Sequence, residues 1–143
     1  MTVRAVKADE TSALVLVVER DPYVRELEAF FLNEAGFTVD FADDGLAALE
    51  MARQRKPAIV VTEILVPKLD GLALCRTIKQ DPALTETVVL IFSILAAHGR
   101  AREACADAFL MKPLAEQRLV LTVRELLAKR AGAHPLSRAR QAR

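Results

Sequence analysis

Apolar residues along this chain follow two habits: short unbroken runs, and longer stretches in which they return every three or four positions. The runs Leu14 to Val18, Ala58 to Thr62 and Val88 to Phe92 are rich in β-branched residues and leucine, the pattern of strands covered on both faces. Phe37 to Phe41 and Ala108 to Met111 complete a set of five predicted strands. Helical spacing fills the intervals. Asp21-Pro22 places an N-cap before a proline of the first turn, and Val24, Leu27, Phe31 and Ala35 then recur at helical spacing until Gly36 stops the helix. Asp44-Gly45 opens a second helix to about Arg55, with Ala48, Leu49 and Ala52 inward, and Pro57 ends it. A third runs from about Gly71 to Lys79, and Asp81-Pro82 punctuates the next connection. Ala97 to Cys105 is a short fourth helix, and Glu116 to Lys129, with Leu119, Val123, Leu126 and Leu127 inward, is the last.

Five strand-helix units with uniformly apolar strands predict an α/β fold. Its form is a flavodoxin-like doubly wound five-stranded parallel sheet, order 2-1-3-4-5, with helices on both faces. In that architecture the functional crevice lies beyond the carboxyl ends of the strands, at the switch between strands one and three. The side chains that fall there are Glu19, Arg20, Glu63, Ser93 and Lys112, and these five form the candidate pocket.

Composition narrows the classes. A chain of 143 residues, 52% hydrophobic and 27% charged, suits one compact domain, expected over residues 13–130 between flexible segments 1–12 and 131–143. The formal net charge of +1 offers no global attraction to nucleic acid or an anionic membrane. No apolar run approaches ~18 residues, and no secretory signal pattern opens the chain, so a cytoplasmic protein without a membrane segment is expected. Cys75 and Cys105 lack metal-site spacing and read as reduced, buried thiols. His98 and His134 stand singly and suggest nothing catalytic.

With these residues in place, about Ala13 to Lys129 resembles a response-regulator receiver domain. In that family strand one ends in two acidic residues that hold Mg²⁺, and strand three ends in a phosphoacceptor aspartate. Strand four ends in Ser or Thr, and strand five carries a Lys-Pro pair. Here Val17-Val18-Glu19-Arg20-Asp21-Pro22, Glu63 followed by Pro67 and Asp70-Gly71, Ser93, and Lys112-Pro113 occupy those places. Phe109 falls where the family has its aromatic switch residue, so Ser93 and Phe109 are the switch equivalents. Each motif alone is common; their order at successive strand ends carries the resemblance.

Two departures bear on chemistry. Arg20 stands where the family has a metal-ligating carboxylate, and a guanidinium has only N–H groups to offer a hard cation that takes oxygen donors. Asp21, one residue on, reads as a helix cap and not as a replacement ligand. Glu63 replaces the phosphoacceptor with a longer acid. Glu19 and Glu63 against Arg20 and Lys112 would balance the pocket without metal, with Glu63 paired to Arg20 or Lys112 and accepting a hydrogen bond from Ser93. Lys112-Pro113 admits either a cis peptide or a trans turn before the last helix.

The resemblance and its departures together imply an atypical receiver. Its role would be a phosphorylation-independent protein-interaction module in two-component or phosphorelay signalling, not an enzyme, with no cofactor and with Mg²⁺ binding lost or weak. Glu63 either mimics a phosphorylated state or marks plain loss of activity. The alternatives are a phosphorylatable receiver with a non-standard site, or the receiver part of a DNA-binding response regulator. Expected partners are signalling proteins, through the surface of the fourth helix, fifth strand and fifth helix, or a second copy in a homodimer. Ser93 and Lys112 are closer together in the sequence than is usual in the family, so that fourth helix is expected to be stunted. No membrane partner is expected. The basic tail, with Lys129, Arg130, Arg138, Arg140 and Arg143, lacks a recognition helix and interleaved aromatics, which argues against nucleic acid.

Overall fold

In the computed structural model, which describes residues 13–113 and 116–132, the apolar runs form β1 (Leu14–Val18), β2 (Thr38–Ala42), β3 (Ile59–Thr62), β4 (Val88–Ser93) and β5 (Ala108–Met111). Between and after them lie α1 (Pro22–Glu34), α2 (Gly45–Arg55), α3 (Gly71–Gln80), α4 (His98–Glu103) and α5 (Glu116–Gly132), with a 3₁₀ turn at Pro82–Leu84. The strands make one parallel sheet in the expected order, β2-β1-β3-β4-β5.

Why the central strands are apolar throughout follows from their two-residue period, which sends neighbours to opposite faces. Leu16, Val18, Val60, Val89 and Ile91 pack with Ala48, Ala52, Leu72, Cys75 and Ile78 under α2 and α3. Val15, Val17, Ile59, Val61, Leu90 and Phe92 pack with Leu32, Leu119 and Val123 under α1 and α5. Both faces are covered, so neither tolerates a polar alternate position. The edge strand β2 is only partly buried, and Phe41 there is half exposed beneath the Arg25 guanidinium, 4.8 Å from the ring centroid.

Aspartates begin three of the helices. Asp21 accepts from the Tyr23 N–H, Asp44 from Ala47 and Asp70 from Ala73, so each satisfies an orphan donor of a first turn. Two of these caps precede glycine for a separate reason, the close approach of backbone. A methyl group at Gly45 would lie 1.7 Å from the Leu69 carbonyl oxygen, and one at Gly71 would lie 2.1 Å from that of Glu63. The segment after β3 is thereby pressed between two helix starts, with Gly45 N–H bonded to the Pro67 carbonyl and Gly71 N–H to that of Ile64. Replacing the exposed cap in Asp70→Ala is expected to destabilise the domain by about 1 kcal/mol; a thermal melt reads this as a lower midpoint with the same folded spectrum.

Several expectations need correction. Leu27 is 49% exposed, whereas Glu28 and Leu32 are the buried residues of α1. The helix is rolled so that an acid, not a leucine, faces the sheet's carboxyl end. Cys75 is buried as expected and donates to the Ala104 carbonyl, but Cys105 is exposed, at a left-handed position (φ 66°) in the turn that leaves α4. Helix α4 has six residues, and α5 continues to Gly132, two residues past the expected domain edge. The expected flexible segment 1–12, and the tail beyond Gly132, lie outside the described residues. Among the described residues no helix is long and apolar enough to cross a membrane.

Candidate functional site

The sheet's hydrogen bonding continues one step beyond the strands and brings the crevice residues to one level. Glu63 N–H bonds to the Val18 carbonyl, Glu19 N–H to that of Ala42, and Lys112 N–H to that of Ser93. Glu19 and Glu63 therefore leave adjacent strand ends side by side, and Lys112 arrives beside Ser93 on the far flank. The Lys112-Pro113 peptide is cis.

Glu63 is buried, and its carboxylate is surrounded by donors. Oε2 accepts from the Ile64 N–H (2.7 Å), the Leu65 N–H (3.3 Å) and the Ser93 hydroxyl. Oε1 accepts from the Ile94 N–H (3.2 Å) and from Lys112 Nζ (3.3 Å). Burial pushes this carboxyl up, but the Ser93 hydroxyl, the Lys112 charge and the backbone N–H groups outweigh it, and the net shift is downward. Glu63 is held as an anion.

Lys112 is the hub. Its ammonium lies 2.5 Å from Glu19 Oε1, 3.3 Å from Glu63 Oε1 and 3.5 Å from Glu28 Oε2, and 5.1 Å from the centroid of Phe92. Desolvation alone would lower its pKa; the Glu19 hydrogen bond and the charges of Glu28, Glu19 and Glu63 reverse the sign and raise it. Glu19 also accepts from the Asp21 N–H, which ties the crevice to the α1 cap.

Glu28 is the member that sequence reasoning missed. It is 7% exposed, and its Oε2 accepts no hydrogen bond. Desolvation raises its pKa to about 7 against the opposing pull of Lys112, with Glu19 and Glu63 adding to the rise. A signal was present: Glu28 falls midway along the face marked by Val24, Phe31, Leu32 and Ala35, where an amphipathic helix carries apolar residues. An acid in that place calls for a buried cation, and Lys112 is that cation.

Arg20 corrects the expected charge balance. It is exposed, and among the described residues it pairs with no carboxylate within 4.0 Å, so it takes no part in holding Glu63. The nearer guanidinium is that of Arg25, whose Nη1 donates to the Glu19 carbonyl oxygen (3.0 Å). The pocket therefore gathers Glu19, Glu28 and Glu63 around one lysine. Phe109 is half buried on β5, with its ring centroid 4.3 Å from that of His98 on α4. Among the described residues no group of three His, Cys, Asp or Glu is arranged to hold a metal ion.

A doubly wound sheet with an acid, a hydroxyl and a lysine converging beyond its strand ends is the framework of a signal receiver. Residues 15–124 match the response regulator receiver domain family, and the chain belongs to it. The response regulator MprA of Mycobacterium ulcerans is 34% identical over 119 residues, 82% of this chain and 51% of that protein. The DNA-binding dual master transcriptional regulator RpaA of Synechocystis is 27% identical over 118 residues, covering 80% and 49%. The signal receiver domain of a signal transduction histidine kinase from Syntrophus aciditrophicus superposes with a TM-score of 0.77 at 30% identity, covering 82% of this chain and 91% of that one. The chain spans about half the length of the curated relatives it matches.

Proposed function

We propose that this receiver works without phosphorylation, as a non-enzymatic protein-interaction module of a two-component or phosphorelay pathway. The observation that carries the reading is the Glu63 carboxylate, which takes donors from Ile64, Leu65, Ser93, Ile94 and Lys112. Preorganised N–H, O–H and ammonium groups of this kind stabilise a transferred phosphoryl group's oxygens. Here the chain's own carboxylate occupies them, and an incoming phosphoryl group would have to displace it.

The donor set is also a poor match for Mg²⁺, which demands octahedral oxygen coordination. Both oxygens of Glu63 are engaged, Glu19 Oε1 holds the Lys112 ammonium at 2.5 Å, and the next residue, Arg20, supplies no oxygen. Lys112 provides the positive charge that the carboxylates need. We place partner contact on α4, β5 and α5, where the Phe109 ring lies against that of His98.

Intact-mass measurement after incubation with acetyl phosphate and Mg²⁺ tests the reading. No phosphoryl adduct is expected on the wild type; a stable adduct at Glu63 would overturn it, with the Arg20→Asp, Glu63→Asp double variant as the reference for a restored site. The name of the Synechocystis relative supports a second reading, the receiver part of a DNA-binding regulator. Salt-sensitive retention of duplex DNA by this chain would favour it.

A further inference from the structure

Helix α1 turns a stripe of large apolar side chains to solvent. Tyr23 is 83% exposed, Leu27 49% and Phe30 56%, at spacings of four and three positions that keep them on one face. Val24 and Phe31, beside them, line a half-open cavity of about 390 Å³ between α1 and α5, whose walls also include Ile94, 59% exposed, and Leu119. A contiguous apolar surface of this kind on a small domain marks an interaction site. Its two ends carry opposite charges. Arg20, just before the helix, and Glu34, its last residue, are both exposed, and among the described residues neither has an opposite charge within 4.0 Å. The Arg124 guanidinium, which reaches the end of α1 from α5, donates to the Ala35 carbonyl oxygen (3.2 Å).

We infer that this stripe is the interface of a symmetric dimer, in which α1 of one copy lies antiparallel on α1 of a second copy with Leu27 at the two-fold axis. The sequence is self-complementary about that residue. Tyr23 and Phe31 lie four positions to either side of Leu27, Val24 and Phe30 three, and Arg20 and Glu34 seven. Antiparallel pairing on Leu27 therefore sets Tyr23 against the partner's Phe31, Phe30 against the partner's Val24, and Arg20 against the partner's Glu34. The two-fold axis repeats each contact, as an isologous interface requires. Both exposed aromatics then come over the cavity of the other copy, whose walls include Val24, Leu27 and Phe31, and each copy supplies the acid that the other's Arg20 lacks. A parallel pairing would instead bring like charges together at both ends.

Glu26 is the exposed charge between Tyr23 and Phe30, and it lies on the flank of the stripe away from Val24 and Phe31, where water and salt screen it from its copy. The aromatics can bury roughly 150–250 Å² each, so the stripe falls short of the roughly 800 Å² that each partner of a standard-size complex buries, and association is expected to be weak and concentration-dependent. Helix α4 packs on the opposite face of the sheet from α1, so this pairing leaves it free for a different protein. The dimer needs no phosphoryl group on Glu63, and it gives Arg20 a role outside the crevice.

Sedimentation velocity of the 143-residue chain from about 5 to about 500 µM tests the assignment. A monomer–dimer equilibrium is expected. Leu27→Glu, a change at a half-exposed position that should keep the folded circular dichroism spectrum, is expected to leave only monomer. Arg20→Glu and Glu34→Arg each set two like-charged pairs across the axis and should each weaken association about tenfold in low salt. The double variant Arg20→Glu, Glu34→Arg exchanges the signs and re-forms both pairs, so it should return to within about threefold of wild type. The inference is overturned if the chain stays monomeric at about 500 µM, if Leu27→Glu dimerises as well as wild type, or if the single reversals leave association unchanged or the double variant does not regain it.

Discussion

Lys112→Met is expected to destabilise the domain by about 3–5 kcal/mol at pH 8, a large fraction of a typical domain's margin. Glu19, Glu28 and Glu63 are each less than a tenth exposed, and the Lys112 ammonium is within 3.5 Å of all three. Methionine matches the length of the stem but leaves three buried carboxylates with no cation among the described side chains within salt-bridge range. Glu28, already raised by burial against the pull of Lys112, answers the loss of that pull by taking up protons more readily still. A group shifted in that direction contributes stability that is present at low pH and lost as pH rises. The penalty should therefore shrink when urea denaturation is repeated near pH 5. A loss under 1 kcal/mol at pH 8, or one that is the same at both pH values, would show that the lysine does not hold the cluster. The comparison with Asp70→Ala is instructive, because that exposed cap faces water and should lose a similar small amount at either pH.

The residues whose placement could be read from the sequence are those whose position is fixed by local rules. Apolar runs of four to six residues read as strands covered on both sides, and Asp21 before Pro22 read as a cap; the structure shows all of these, with Asp44 and Asp70 as caps besides. Strand order followed from the architecture that five strand-helix units with uniformly apolar strands imply, the doubly wound sheet, and the structure has that order. Glu19, Glu63, Ser93 and Lys112 were placed by their strand ends alone, because the register of a parallel sheet carries them to one level. What escaped were residues whose position depends on a partner distant in the sequence. Glu28 and Lys112 are 84 positions apart by their numbering, and only the approach of Lys112, just past the end of β5, to α1 makes an acid belong on a helix's inner face. Leu27 falls with the apolar residues at helical spacing, whereas the helix turns it out and Glu28 in. Arg20 failed for the opposite reason: adjacency to Glu19 suggested a shared crevice, but successive residues at a strand's end point to different sides. Cys105 was placed at the end of a helix over Ala97 to Cys105, whereas α4 stops at Glu103 and the chain turns there with a left-handed residue.

Glu28→Gln carries the second large effect, and its sign is the reverse of what removing a member of a buried ion cluster ordinarily gives. In the folded chain the Glu28 carboxyl titrates at about 7, against 4.5 when unfolded, chiefly through desolvation. The folded state thus binds more protons than the unfolded one between those values. Glu28 stabilises the fold least above pH 7, and its contribution recovers fully only below about 4.5. A shift of this size corresponds to an energy on the order of 3 kcal/mol. Glutamine keeps the shape and cannot ionise, so the variant should exceed wild type by up to ~3 kcal/mol at pH 8 and match it near pH 4.5. Glu63, shifted downward, stays ionised across that window, and its contribution is lost only under stronger acid, so the two groups separate on the pH axis. Urea denaturation from pH 4.5 to 8 reads the difference directly: a gap between variant and wild type that stays flat across this range would mean that Glu28 is not the buried acid of this cluster. A gap that opens with rising pH would also explain why Lys112 is shared so widely. An ammonium placed wholly on Glu28 would lower that acid's pKa, but it would leave Glu63 without the charge that keeps it in its donor-lined hole.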